Sequence, residues 1–285
     1  MTLAELRQAY HQELCQEIIR EKQGAKGRCP NFADGSSEAS IEIAWKIVNA
    51  MGCYPAKTKM KGQTAGKLFE EVTLRFMKKA FGLLEHLRPG PWKYHTHSSI
   101  SEFAQYRHLA RLEEIVETQT ELVSVFGGDY IIKPDIVIGR IPLTDREINL
   151  RGAGLSDQQA IARKTPLRKS NTQQLRQILH ASISCKWTLR SDRAQNTRAE
   201  ALNLVRNRKG PLAHASAVTA ESLPTRLAAL ALGTGDLDCV YHFALPELQT
   251  ALGSLNREDQ LDMLNVLVEG DRLRDISDLP LDIAI

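Results

Sequence analysis

Three residues of this chain carry side chains that could act together in one reaction: Asp135, Lys186 and Glu200. Carboxylate oxygens are the ligands that hard divalent cations such as Mg²⁺ prefer. A bound cation can stabilise charge at phosphorus, and a lysine beside it can orient or polarise a water molecule. Two acids and a lysine of this kind would suit the hydrolysis of a phosphodiester bond.

The local sequence around two of them is unusual. Asp135 follows Pro134 at the head of the apolar run IVIG, where proline favours a strand edge, end or bulge. Lys186 ends the apolar run HASISCK, where a lysine is costly to bury without an anion. Taken singly, each residue has an ordinary interpretation, as a turn-like aspartate or a solvated lysine.

A cluster of polar residues follows Lys186 at once: Arg190, Ser191, Asp192 and Arg193. If a helix begins near Asp192, Glu200 points to the same side as Arg193, two turns later. Alanines on the opposite side can pack against the protein. The alternative is a solvated helix face with an ordinary capping aspartate.

Glu70 lies on the predicted helix KLFEEVTLRFMKKAFGLL, and steps of three and four residues from it meet Leu74, Met77 and Phe81. We therefore expect Glu70 to be partly buried, where a carboxylate needs a partner, a hydrogen-bond network or a metal. Its neighbour Glu71 is expected to pair with Arg75 at i+4. A satisfied core glutamate is as good an interpretation of Glu70 as a functional one.

The elements that must position these residues alternate between strands and helices. Apolar runs predict strands at GGDYIIKPDIVIGR, HASISCKW, HASAVTAE and DLDCVYHF, and residues 140–176 form a polar excursion between the first two. Helical patterns cover the first twenty residues, SEASIEIAWKIVNAM after a Ser36 or Ser37 cap, about Thr64 to Leu87, 102–119, PELQTALGSL and REDQLDMLNVLV. The prediction is an α/β fold, one domain over 1–285, with a central mixed sheet flanked by helices.

Composition excludes some classes of protein. Lys and Arg number 37 against 34 Asp and Glu, so any basic surface must come from local clusters, such as 57–61, 163–169 and 206–209. The five cysteines are scattered without a C-x-x-C, which argues against a disulfide scaffold or structural zinc and for a reducing cytoplasm. We find no apolar run long enough to span a bilayer.

An acid on one strand and a lysine on the next resemble the PD-(D/E)xK nucleases, although Ser184 stands where that motif has its second acid. The order K…RSDR…E resembles the CCGG-reading type II restriction endonucleases of the NgoMIV type, in which Glu200 would supply the missing carboxylate. The resemblance continues through LNLVRNRKG, ALGTGDLDCVYHFAL, ISDLPLD, ADGS, GQTAG and YIIKPDIV. Residues 93–125 and 140–176 match poorly.

The resemblance implies a Mg²⁺-dependent endonuclease with a restriction-endonuclease-like core, working as a homotetramer that binds two double-stranded DNA copies. Asp135, Lys186 and Glu200 match its catalytic and metal groups, with Glu70 assisting. Ser184 and Cys185 fill its substituted positions, Cys185 at the metal. The DNA contacts that it implies are Arg190, Ser191, Asp192 and Arg193 at CCGG, Gln63 in the minor groove, and Asp34, Ser36 and Arg226 near the outer base pair of GCCGGC.

Base chemistry agrees with this assignment independently. Arginine can donate twice to guanine O6 and N7, and aspartate can accept from cytosine N4. Two alternatives stay open: a DNA-binding protein that has lost cleavage, or a related nuclease of different specificity. The acids and the lysine retained here favour an active nuclease.

Overall fold

The computed structural model describes residues 1–118, 132–169, 176–233 and 235–285. Within it the chain divides into two compact units. The first contains Met1–Arg88, Ile183–Leu202 and His214–Ile285, and the second contains Pro89–Ser182 and Asn203–Ala213. The prediction of one domain over the whole chain stays a prediction.

The first unit opens with helices and a small hairpin: α1 (Leu3–Glu17), β1 (Glu21–Gly24), β2 (Gly27–Pro30), α2 (Glu38–Ala50) and α3 (Gly62–Leu83). Thr2 and Glu5 form a capping box at the start of α1. Ser37 caps α2 by accepting from the Ser40 N–H, which selects it over Ser36. The antiparallel β1–β2 pair lies between the first two predicted helices, in a segment for which no strand was predicted.

The apolar face predicted beside Glu70 is confirmed on helix α3, since Met77 and Phe81 are buried and Leu74 is half-buried. The helix ends at Leu83, four residues before the predicted end, because the Leu84 N–H bonds to the Phe81 carbonyl in a tighter turn. The predicted Glu71–Arg75 pair is wrong. Arg75 instead donates to two carboxylates of α1, Glu13 at 2.8 Å and Glu17 at 2.7 Å, because α1 packs along α3 and brings a partner with two acids.

A six-stranded mixed sheet confirms the predicted α/β class. Its strands are β3 (Trp92–Thr96), β4 (Ile136–Arg140), β5 (Ile178–Lys186), β6 (His214–Thr219), β7 (Cys239–His242) and β8 (Leu273–Asp275), in the order β3-β4-β5-β6-β7-β8. β3 and β4 are antiparallel, whereas β6, β7 and β8 are parallel. β4 to β7 match the four predicted strands, although residues 127–131 of the first prediction lie outside the described part of the chain.

In the second unit, the segment 102–119 that was predicted as one helix is α-helical only in its last part. Two 3₁₀ turns, Ile100–Glu102 and Ala104–Leu109, precede the α-helix, α4 (Ala110–Thr118), and residue 119 is outside the description. A tertiary contact explains the change: the Gln105 amide donates to the Leu179 carbonyl at 2.7 Å and accepts from its N–H at 2.9 Å. The aromatic core around it includes Phe103 and Tyr106.

The polar excursion has local order within residues 141–169. It contains the short helix α5 (Asp145–Ile148). Arg168 donates two hydrogen bonds to the Asp145 carboxylate, from Nε at 2.5 Å and from Nη2 at 2.6 Å. The Arg168 side chain is only 2% exposed. A buried bidentate pair of this kind fixes an otherwise irregular segment.

The remaining helices all lie wholly or partly in the first unit: α6 (Ser191–Asn207), α7 (Pro224–Ala231), α8 (Leu245–Gly253), α9 (Glu258–Glu269) and α10 (Leu279–Asp282). The helices predicted near Asp192, at PELQTALGSL and at REDQLDMLNVLV are thereby confirmed. In the described part of the chain, no helix combines the length and apolar character needed to cross a bilayer.

One pair of cysteines makes a contact that was not predicted from the sequence. Cys15 of α1 and Cys53 after α2 form a disulfide, with Cα atoms 5.7 Å apart. Their separation of 38 residues hid the contact, which arises from helix packing. Cys29, Cys185 and Cys239 are buried and are not part of a disulfide within the described residues.

Candidate functional site

Residues 187–193 comprise the connection after β5 and the first three residues of α6. We call this segment the 187–193 turn, and apolar side chains anchor it. Trp187 is 4% exposed and packs against Phe69, with ring centroids 5.1 Å apart, and against Phe32 and Phe243 at 5.6 and 6.2 Å. Leu189 is 1% exposed. Two buried residues two positions apart, Trp187 and Leu189, fix the backbone of the 187–193 turn against the core.

The polar residues of the same turn are presented outward. Arg190, Ser191, Asp192 and Arg193 are all exposed. Arg193 donates from Nη1 to the Thr188 hydroxyl at 3.0 Å. Asp192 lies in the first turn of α6, where the helix dipole favours a negative charge. The turn therefore offers donors and an acceptor side by side on a rigid base.

A second charged cluster lies on the loop after β2. Asp34 Oδ1 accepts from the Ser36 N–H at 2.9 Å and from its hydroxyl at 2.6 Å, while Oδ2 accepts from Arg226 of α7. These contacts, with the Ser36 hydroxyl foremost, hold the pKa of Asp34 well below its ordinary value. We call Asp34 and Arg226 the Asp34–Arg226 pair.

The loop that carries Asp34 depends on a close backbone approach. A Cβ at Gly24 would lie 2.6 Å from the Gly35 Cα, and the Lys26 N–H donates to the Gly35 carbonyl at 2.9 Å. Only glycine permits this contact. The β1–β2 hairpin therefore positions Asp34 and Ser36, the chain neighbours of Gly35.

One cavity of about 640 Å³ in the first unit connects both clusters. Four of the predicted DNA-contacting residues line it: Asp34, Arg190, Ser191 and Arg226. Ser36 joins them through its bonds to Asp34. Gln63 is exposed in the first turn of α3 and is not among the lining residues.

The predicted catalytic residues are distributed over both units. In the first unit, Lys186 is the last residue of β5, Glu200 is on α6, and Glu70 is on α3; all three are half-buried. Phe69 and Trp187 touch, and they are the chain neighbours of Glu70 and Lys186. Ser184 and Cys185 are buried within β5.

In the second unit, Asp135 is half-buried between Pro134 and the first residue of β4, which confirms the predicted position of this aspartate at a strand start. Oxygen ligands for a hard cation are thus present as Glu70 and Glu200 in one unit and as Asp135 in the other. Their chemistry fits Mg²⁺, which binds through carboxylates and water.

Two residues of the cavity were missed. Lys22 on β1 donates to the carbonyls of Asn31 and Ala33, at 3.1 and 2.7 Å. Glu221 is 1% exposed, and burial raises its pKa. A carboxylate directly after the apolar run HASAVTA was a usable signal for Glu221, whereas nothing in the sequence distinguishes Lys22 from other lysines.

Comparisons with known proteins identify the family. A family model described as the NgoMIV restriction enzyme matches residues 10–285. The type II restriction enzyme NgoMIV of Neisseria gonorrhoeae is 48% identical over 258 residues, which cover 89% of each chain. The PspGI restriction endonuclease bound to substrate DNA matches 99% of this chain and 92% of its own, with 12% identity and a TM-score of 0.34, too low to support a conclusion.

A model match across nearly the whole chain and a relative of 48% identity agree with each other and with the α/β sheet. The chain belongs to the NgoMIV restriction enzyme family and is a type II restriction endonuclease, a hydrolase that cuts DNA at specific sites.

Proposed function

We propose that the enzyme cleaves double-stranded DNA at a palindrome containing CCGG, within GCCGGC. The observation that carries this proposal is the cavity of the first unit, where Arg190 and Arg226 lie with Asp34. Arginine donors match guanine and aspartate acceptors match cytosine, so this set of side chains is complementary to G·C pairs.

The reading roles divide between the two clusters. Arg190, Asp192 and Arg193, with Ser191, read the CCGG core from the exposed 187–193 turn. Asp34, Ser36 and Arg226 read the outer pair, and Gln63 contacts the minor groove. These roles rest on the family resemblance together with the donor and acceptor chemistry of each side chain.

For catalysis we propose Asp135, Lys186 and Glu200, with Glu70 assisting and Ser184 and Cys185 in the family's substituted positions. Asp135, Glu200 and the Cys185 position would hold Mg²⁺, which supplies charge stabilisation at the phosphate when bound. Lys186 orients the attacking water. Glu200 provides the carboxylate that an ordinary motif carries where this chain has Ser184.

The assembly that we propose is a homotetramer that binds two DNA copies, and its basis is the resemblance alone. Light scattering at micromolar concentration should give four chains, and plasmids with two sites should be cut faster than plasmids with one. We also place the enzyme in the cytoplasm, where thiols are kept reduced. Cys15 and Cys53 are then expected as two thiols in the cell.

One experiment tests the core of this proposal. Plasmid and phage DNA are incubated with the protein and Mg²⁺, and the fragment ends are sequenced. Ends that all derive from GCCGGC support it. Ends from another sequence would indicate a related nuclease of different specificity, and specific binding without cutting would indicate a DNA-binding protein that has lost cleavage.

A further inference from the structure

Glu221 is a buried carboxylate that none of the proposed roles uses. It follows β6 by two residues, lines the cavity of the first unit, and is 1% exposed. A carboxylate in such a place is retained only with strong hydrogen-bond partners. Its partners therefore indicate what it does.

Both oxygens of Glu221 accept backbone N–H groups from the elements that carry DNA-contacting residues. Oε2 accepts from the Leu189 N–H at 3.1 Å, in the 187–193 turn. Oε1 accepts from the Leu223 N–H at 3.1 Å, at the N-terminus of α7, which carries Arg226. Arg226 Nη1 lies 4.0 Å from Oε2.

The segment around Glu221 is itself fixed on its other sides. Its carbonyl accepts from His242 Nε2 at 3.1 Å, and its N–H donates to the Thr219 hydroxyl at 3.2 Å. The adjacent Ser222 hydroxyl lies 2.8 Å from the Ser40 hydroxyl, which accepts from the Asp34 N–H at 2.8 Å. One short segment thus connects the 187–193 turn, α7 and the Asp34 loop.

We infer that Glu221 is a positioning residue for sequence discrimination, holding the 187–193 turn and the start of α7 in the relative arrangement that fits consecutive base pairs. It does not touch DNA in this inference. It acts through the backbone of Leu189 and Leu223, so that Arg190 and Arg226 meet neighbouring bases in register. The inference rests on the proposed reading roles of those two arginines.

The test variant is Glu221→Gln. The amide keeps the size of the side chain, but one of its two ends becomes a donor that faces a backbone N–H, so one hydrogen bond is lost. Asp275→Asn is the matched control. Asp275 is also buried, at 6% exposure, and accepts the Leu245 N–H at 3.1 Å and the Ser277 N–H at 3.0 Å, outside the cavity. It additionally holds an ion pair with Arg7, so its loss should cost at least as much stability as the loss at Glu221.

The readout is the ratio of kcat/KM on the wild type's own site to kcat/KM on sites altered at one base pair, with melting temperature measured in parallel. Glu221→Gln should lower this ratio about tenfold or more, the size of one good hydrogen bond. Its nonspecific DNA affinity should not change, because phosphate contacts dominate that affinity. Asp275→Asn should lower the melting temperature and leave the ratio unchanged.

An unchanged ratio in Glu221→Gln, or an equal fall in both variants, overturns the inference. If Glu221→Gln does not fold, Glu221→Asp keeps the charge with a shorter reach and should lower the ratio in the same direction; an unchanged ratio there overturns the inference as well. Wild type that shows no site-specific cleavage would instead defeat the proposed function, so the two failures are distinguishable.

Discussion

The two charged clusters around the cavity of the first unit are held in opposite ways. Asp34 accepts hydrogen bonds from Ser36 and Arg226 within the protein itself. Arg190 and Asp192 instead stand exposed on the 187–193 turn, which is fixed through its buried Trp187 and Leu189. One cluster is occupied by internal contacts, and the other is anchored by its backbone.

This difference matters for recognition because the net free energy of a polar contact with DNA is the new interaction minus the interaction that the group gives up. To make the proposed base contacts, the Asp34–Arg226 pair must give up its internal ion pair. Among the described residues, the side chains of Arg190 and Asp192 exchange only water, and Arg193 gives up a single neutral partner, Thr188. We therefore expect the turn to contribute more discrimination per residue than the pair, and the following predictions test that comparison from the largest expected effect to the smallest.

Removing catalysis should leave both clusters intact. Asp135→Ala, Lys186→Ala and Glu200→Gln should each reduce cleavage by at least roughly 10³-fold, because each removes either a proposed metal ligand or the lysine that orients the attacking water. Specific binding should persist in gel-shift titrations. Glu71→Gln, on the same helix as Glu70, is the control and should cut normally. Full cleavage by Glu200→Gln would show that the missing carboxylate is supplied elsewhere.

The second-largest effect is expected for changes in the 187–193 turn, which should reduce discrimination between cognate and other DNA sequences. Arg190→Ala and Arg193→Ala should each lose about 1–3 kcal/mol of cognate preference per half-site. Titration of cognate and scrambled duplexes at several salt concentrations measures this loss.

Arg190→Lys keeps the positive charge but cannot donate two parallel hydrogen bonds to one base, so it should lose preference for the cognate duplex while its nonspecific affinity is unchanged. Asp192→Asn should weaken the preference for cytosine without weakening nonspecific binding. Equal weakening on both duplexes would make the arginines phosphate contacts.

Changes in the Asp34–Arg226 pair should cost less than changes in the turn. Arg226→Ala should reduce preference at the outer base pair by less than Arg190→Ala does at the core, because the wild-type arginine first has to leave Asp34. Cleavage of duplexes that vary only in the outer pair measures this. A larger loss in Arg226→Ala than in Arg190→Ala would break the comparison.

A lysine outside both clusters should affect every sequence alike. Lys59 is exposed in the loop before α3. Lys59→Ala should weaken cognate and scrambled duplexes equally and lower the slope of log K against log salt by about 0.9, the value of one phosphate contact. Lys59→Arg should restore the slope. A change confined to the cognate duplex would indicate base reading instead.

The smallest effect concerns acid stability. The pKa of Asp34 is lowered on folding, so the ionised form contributes stability that is fully present above the unfolded pKa, near 4, and is lost as pH falls through the lower folded pKa. Asp34→Asn should therefore be less stable than wild type at neutral pH, and the difference should vanish in strong acid. Urea unfolding between about pH 2 and 6 measures it. A constant difference would mean that the ionised pair contributes nothing.

The sequence predicted best where local pattern and tertiary structure agree. β5, the turn and α6 follow from an apolar run, a polar cluster and a helical face, and the structure places them as expected. The strand β8 was missed, because its three residues carry too little pattern. It forms through pairing with β7, about thirty residues earlier in the chain.

The contacts that organise the site could not be predicted for the same reason. The Glu221 contact with Leu189 joins residues 32 positions apart, and the disulfide joins two cysteines with no spacing motif. Arg75 pairs with carboxylates of α1 and not with Glu71 of its own helix, because the packing of α1 against α3 outweighs the local i,i+4 preference. Residue types indicated the chemistry, but only the packed structure shows what supports it.

Trp187 gives the enzyme an optical reporter at a useful place. Of the three tryptophans, Trp45 and Trp92 are partly solvent-accessible, whereas Trp187, the first residue of the 187–193 turn, is enclosed by aromatic rings. Its fluorescence should therefore be blue-shifted and shielded from aqueous quenchers. With the other two tryptophans replaced by phenylalanine, the remaining emission would follow any shift of the turn when DNA binds, in real time and without an added dye.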